Sequence, residues 1–271
     1  LIRGETLGGT RLFFDAANAD PILLGRVSGL ATVLLLSRMI GARIRHQLLL
    51  LPHVGILLYI ALATGTRGVF LALLGALLAL GFVYPRLRGR RHIRLDIFLI
   101  FVLGLIAVTF MALPESTQDR LLLPYLEGLR GSATTRLDNF QLAWSQFISA
   151  PLFGTGTASF GHVLSYPHNI ILEIAAELGL IGLFAFSAFV ILTAKYSLQV
   201  CLGQSYPEWA RSLMVGLLSA FVFFFAEAQV SGNILLNQQL WFLSGLIWAV
   251  YLTAKGEGKE AIVAPMEANP R

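Results

Sequence analysis

The sequence is poor in charge. Only 13% of its 271 residues are Asp, Glu, Lys or Arg, against about a quarter in an ordinary soluble domain. With 56% hydrophobic residues and a mean hydropathy of +0.73, a solvated globular domain is excluded. Cysteine is nearly absent, and a lone Cys201 excludes an internal disulfide. No Asp-x-Asp pair and no His/Cys cluster at metal spacing occurs, which disfavours a metal-dependent chemistry. There is no internal repeat, and no signal-peptide pattern follows Leu1. We read the chain as the carboxy-terminal part of a longer protein whose first spans are missing. The net charge of +5 points to no nucleic acid, because the basic residues cluster between apolar runs as they do in cytoplasmic loops.

What fills the sequence is long apolar runs. They cover about residues 21–38, 47–64, 68–84, 95–113, 169–194, 210–228 and 234–253. Seven runs of this length fit a hydrocarbon core of roughly 30 Å. The expected fold is therefore all-α: a polytopic membrane protein of about seven transmembrane helices with an outer-face segment of interfacial helices. Arg38 to Arg45, Arg86 to Arg94, Lys195 and Lys255 to Lys259 fall on one side if the spans alternate, and that side is the cytoplasm. The expected organisation is a periplasmic loop at 1–20, a membrane-embedded domain at 21–254 that includes a periplasmic segment at 114–167, and a disordered cytoplasmic tail at 255–271.

The periplasmic segment holds the polar residues that invite a chemical reading. Leu137, Phe140, Trp144, Phe147 and Ile148 recur at helical spacing, so an interfacial helix is expected there. Thr135 with Asp138 resembles a capping box. That puts Arg136 in the first turn, where a cation opposes the macrodipole unless an anion shares the site. Contact with lipid phosphates explains it equally well. FGTGTASFG is not preceded by a strand and so is no dinucleotide fingerprint. It suits a tight turn in which glycine allows close backbone approach. Pro167-His168-Asn169 opens the fifth run, with proline suited to a first helical turn. His168 is either interfacial packing or a proton acceptor kept neutral by a helix N-terminus and nearby arginines. Glu173 and Glu177 follow on one helical face, as a polar interior or helix–helix hydrogen bonding would require. Glu115 and Asp119 read as a solvated face. Arg67 and Arg26 lie toward the same outer end. An arginine at a span centre costs roughly 2.5–3.5 kcal/mol, so each needs a buried anionic partner or must snorkel to the headgroups.

Three stretches, TGTRGVFLALLGALLAL, RLDNFQLAWSQFISAPLFGTG and PHNIILEIAAELGLIGL, together resemble the O-antigen ligase and O-antigen polymerase superfamily of bacterial membrane glycosyltransferases. ANADPILLGRVSG resembles the start of its shared domain, and the resemblance covers about residues 16–250. It implies transfer of a glycan from undecaprenyl pyrophosphate to a hydroxyl of lipid A-core, of a growing polysaccharide or of a protein. That transfer would occur at the periplasmic face of the inner membrane and needs no cofactor. It implies that Arg67 and Arg136 hold the pyrophosphate and that His168 acts on the acceptor hydroxyl, with Arg26, Asn169 and Glu173 in support. Phe221 to Phe225 would flank a polyprenyl tail or face lipid. Two other readings stay open. A transporter or flippase of an anionic substrate would favour repeats and a midplane site. A non-catalytic membrane subunit would use the same polar residues as assembly contacts.

Overall fold

The computed structural model describes residues 2–6, 9–13, 20–39, 42–88, 93–126, 132–160 and 166–267. Among them are one hairpin and nine helices. The hairpin, β1 (Ile2–Thr6) and β2 (Gly9–Phe13), pairs Arg3 with Leu12 and Glu5 with Thr10. It corrects the expectation of a loop at 1–20, while every other described element is helical as expected. Two five-residue strands separated by Leu7 and Gly8 match the short connection that favours antiparallel pairing.

The helices are α1 (Pro21–Met39), α2 (Ile44–Ala63), α3 (Arg67–Arg88), α4 (Ile93–Met111), α5 (Glu115–Leu126), α6 (Ser132–Ser149), α7 (Ile170–Leu202), α8 (Glu208–Glu227) and α9 (Gln238–Glu267). Each expected apolar run is matched by one of α1–α4 and α7–α9. Among the described residues, α1, α2, α7 and α8 are long and apolar enough to cross a membrane, and Arg67–Val83 forms a shorter apolar helix. Residues 115–126 and 132–149 form α5 and α6, and Glu115 and Asp119 are exposed. Two ends differ from expectation. Helix α7 runs past Lys195 to Leu202 because Val200 and Cys201 are still fully buried. Helix α9 continues through the expected disordered tail to Glu267, along a stretch rich in the good helix formers Lys, Glu and Ala.

Helix α8 is the hub, packing against α1, α3, α7 and α9. Phe221, Phe223 and Phe224 sit in the core, which corrects both sequence readings of that run. Gly29 of α1 makes room for one of them, since a Cβ there would lie 2.6 Å from the Phe223 ring. The buried hydroxyls inside the bundle turn back on their own helices. Ser28 donates to Leu24 O (2.6 Å), Thr193 to Phe189 O (2.8 Å), Ser219 to Val215 O (2.8 Å) and Ser244 to Leu240 O (2.8 Å). Ser28, Ser219 and Ser244 are thus satisfied within one turn, while Thr193 Oγ1 also accepts from Trp248 Nε1 of α9 at 3.1 Å.

Helix α7 is broken at Gly179, whose φ of 64° and ψ of −159° belong to a region open essentially to glycine alone. The stretch after α6 fills the break. Leu180 N donates to Pro151 O (2.8 Å) and Ile181 N to Leu152 O (3.3 Å), while Thr155 N donates to Ala176 O (2.9 Å) and Gly156 N to Glu177 O (3.0 Å). The Glu177 carboxylate accepts from the backbone N–H groups of Ala158 and Ser159. Gly154 in this stretch and Gly179 in α7 therefore allow backbone to approach backbone. A Cβ on Gly154 would overlap the Glu177 carbonyl, and one on Gly179 would lie 2.5 Å from Leu152 O.

Candidate functional site

One end of the bundle gathers the polar residues. Asp20 starts α1, its carboxylate accepting from Ile22 N at 2.8 Å, with Pro21 in the first helical position where its missing N–H costs nothing. One turn on, Arg26 projects to α8. Its Nε donates to Glu227 Oε1 (2.9 Å), its Nη2 lies 2.8 Å from Glu227 Oε2, and Nη2 also reaches Ser231 Oγ (3.4 Å). Glu227 is 1% exposed and Arg26 12%. This is the buried anionic partner that Arg26 called for. The sequence reading did not single out Glu227, although the rule it applied to Glu173 and Glu177, a carboxylate inside an apolar run, holds equally for FVFFFAEAQV.

Arg67 is the first residue of α3, after a turn in which Gly65 adopts φ 62° and the hydroxyls of Thr64 and Thr66 bond each other. The next residue, Gly68, faces the same carboxylate: a Cβ there would lie 3.5 Å from Glu227 Oε1. Gly25 of α1 packs on Thr64 and Thr66. Arg26 and the start of α3, where Arg67 sits, thus stand at one end of the bundle near Glu227.

The Pro-His-Asn corner closes onto this end. Asn169 is the N-cap of α7, its Oδ1 accepting from Leu172 N (2.9 Å), and its Nδ2 donates to Gln229 O (3.2 Å). Ile170 N donates to Ala228 O (3.0 Å). The Glu173 carboxylate accepts from Ile234 N (3.0 Å), so it ties α7 to the α8–α9 connection. Pro167 and His168 therefore precede the cap and do not occupy the first turn. His168 has φ 53°, the left-handed region that a residue with a side chain seldom enters. Its ring lies against Tyr166, centroids 4.3 Å apart and planes 51° apart.

Helix α6 reaches the corner from the side. Asn139 Nδ2 donates to Tyr166 O (3.1 Å). Ala143 packs with Phe160, Ala176 and Leu172, while Leu137, Trp144 and Ile148 are left exposed. Because α6 begins at Ser132, Arg136 lies past the first turn and Thr135–Asp138 is no capping box. The helix N-terminus is thus not what brings an anion to Arg136. Arg136 instead bears on the corner through its field. Burial first, and the Arg136 guanidinium second, hold the His168 imidazole below its ordinary value of 6.5, so the ring is neutral at neutral pH. Burial raises the Tyr166 phenol despite the opposing fields of Arg26 and Arg136. The structure therefore brings His168, Asn169, Glu173 and Arg136 to one corner, with Tyr166 added and with Arg26, Glu227 and Arg67 beside it. No group of three or more His, Cys, Asp or Glu that could hold a metal occurs among the described residues.

A neutral imidazole among guanidinium groups, without metal ligands, can accept a proton next to a bound polyanion. No curated protein matches the chain. Residues 53–187 match the family described as O-antigen ligase, a stretch that contains Arg67, Arg136, His168, Asn169 and Glu173 but neither Arg26 nor Glu227. The residues that meet at the α6–α7 corner are thus those the match spans, and residues 53–187 are the part of the chain that belongs with the O-antigen ligase family.

Proposed function

We propose that this chain transfers a glycan from undecaprenyl pyrophosphate to a hydroxyl of lipid A-core, of a polysaccharide or of a protein. The family supplies the coarse activity, glycan transfer of the O-antigen ligase type by a multi-pass membrane protein. The observation that carries the finer reading is the neutral His168 at the α6–α7 corner, within the field of Arg136. The acceptor oxygen attacks the anomeric carbon as the bond from that carbon to the pyrophosphate oxygen breaks. The hydroxyl proton passes to His168, and undecaprenyl pyrophosphate leaves. Arg67 and Arg136 take up its growing charge, as preorganised guanidinium groups do without a metal. In-line attack inverts the anomeric carbon. Arg26, already paired with Glu227, serves the frame of the site and does not grip phosphate directly.

All seven long helices cross the bilayer in this reading. Arg38, Arg43 and Arg45 lie around the α1–α2 junction, at the far end of α1 from Arg26, so the positive-inside rule turns the site to the periplasm of a bacterial inner membrane. The exposed Leu137, Trp144 and Ile148 of α6 suit an interfacial helix. A transporter would want polar groups at the midplane, whereas the interior hydroxyls of Ser28, Ser219 and Ser244 bond their own helices.

The test is His168→Ala in the protein expressed from its own locus, with capped glycan read on a gel. A general base contributes about 10²- to 10⁴-fold, and transfer within a few-fold of wild type sinks the assignment. Because the imidazole must be unprotonated to accept, activity is present above its lowered pKa and lost as pH falls through it. The acid limb of the pH profile is therefore expected below 6.5.

A further inference from the structure

A general base has to be aimed. A histidine base is usually aimed by a hydrogen bond from its second ring nitrogen to a carboxylate or a carbonyl. His168 lacks that device: its Nδ1 is buried and has no hydrogen-bond partner among the described residues. What it has is the Tyr166 ring at 4.3 Å, tilted by 51°, an arrangement aromatic rings favour over a face-to-face stack. The backbone that presents the pair is pinned on both sides. Asn139 of α6 holds the Tyr166 carbonyl, and Asn169 bonds both Leu172 N and Gln229 O. Between these two clamps His168 is kept at φ 53°. Strain of this kind persists only where the surroundings over-determine it. Once the backbone is fixed, the direction of the imidazole depends on what it packs against.

We propose that Tyr166 is the positioning residue of this site, its ring fixing the orientation of the His168 imidazole and shielding it from water in place of a hydrogen-bonded carboxylate. The proposal rests on the reading of His168 as the base. The phenol hydroxyl is not required for the aiming. The titratable and charged groups on the elements meeting here are Asp20 and Arg26 at the start of α1, Arg67 on α3, Arg136 and Asp138 on α6, Glu173 and Glu177 on α7 and Glu227 on α8. Of these, the Arg136 field lowers the His168 imidazole, secondary to burial. Removing the ring therefore changes the imidazole chiefly by letting water in.

The experiment compares Tyr166→Phe, Tyr166→Ala and Tyr166→Leu in the full purified protein. The first readout is deuterium exchange at the His168 ring carbon as a function of pH, followed by mass spectrometry. It reports the titration of that one imidazole and needs no substrate. Wild type and Tyr166→Phe should share one midpoint below 6.5, while Tyr166→Ala and Tyr166→Leu move it up toward the ordinary histidine value and speed exchange. The second readout is glycan transfer from membranes loaded with undecaprenyl-pyrophosphate glycan. There kcat should fall about 100-fold in the Ala and Leu variants, the scale of a misaimed reacting group. Donor KM should stay within a few-fold, and Tyr166→Phe should keep near-wild-type turnover. If Tyr166→Ala is poorly folded, Tyr166→Leu decides. An unmoved midpoint in the aliphatic variants overturns the proposal, and so does a Phe variant as impaired as Ala. A moved midpoint with unchanged transfer would preserve the packing role and sink the assignment of His168 as base, so the two failures are told apart.

Discussion

Helix α7 is open in two places, at its amino terminus and at Gly179, and the two are finished differently. At Gly179 the N–H groups of Leu180 and Ile181 and the carbonyls of Ala176 and Glu177 all meet backbone of residues 151–156. Nothing there is left for a ligand. At the amino terminus Asn169 closes the helix, yet His168 Nδ1, Gln229 Oε1 and Asn237 Oδ1 stand buried without hydrogen-bond partners among the described residues. Unsatisfied buried polar atoms cost about 1–3 kcal/mol each, so these three weigh against stability at this end, as Gln146 Oε1 on α6 and Arg211 Nε at the other end of α8 do elsewhere. The glycine-rich stretch, which looks like a binding loop, is a structural seam. The plainer Pro-His-Asn corner is the site we propose.

That contrast can be broken most forcefully at the seam. Gly154→Ala puts a Cβ into the Glu177 carbonyl at φ 72°, and neither backbone can retreat. The expected outcome is loss of more than about 4 kcal/mol, the range reserved for strain and overpacking, seen as little folded protein in detergent by size-exclusion yield and thermal melting. Normal yield with lost transfer would make the seam part of the site after all. Next is Glu227→Ala, which leaves Arg26 buried at 12% exposure without its anion. Removing one partner of a buried pair costs about 3–5 kcal/mol, so the melting temperature should drop clearly. Arg26→Met with Glu227→Leu should recover much of it, and failure of the double variant to recover would mean that the pair acts on substrate. The smallest effect is expected from Asn169→Ala. Loss of the cap costs about 1 kcal/mol, and the released corner should weaken transfer more than that small change in melting suggests. Equal, slight losses in both would reduce the corner to ordinary capping.

The long helices were legible because apolar length and basic punctuation are local properties. Every expected run is matched by a helix, and His168, Asn169, Glu173 and Arg136 do meet at one corner. What escaped depends on partners distant in the chain. Glu227 lies 201 positions from Arg26, and no local pattern joins them. Gly179 sits in ELGLIGL, where a glycine inside an apolar span gives no hint of a break, because the break is specified by the residues that fill it. Arg136 was placed in a first turn because Thr135–Asp138 mimics a capping box, but α6 starts earlier, at Ser132. The β1–β2 hairpin was missed for a simpler reason: its strands are short and mostly polar, and only their mutual register, Arg3 with Leu12 and Glu5 with Thr10, makes them strands.

The break in α7 also bears on how the chain enters a bilayer. A helix interrupted at Gly179 exposes peptide groups that hydrocarbon does not tolerate alone, and the segment that covers them, residues 151–156, is made by the ribosome just before it. The four main-chain bonds between them satisfy peptide groups at the break that α7 leaves open. The depth at which α7 can sit in lipid is therefore tied, through main-chain pairing, to the segment that follows α6.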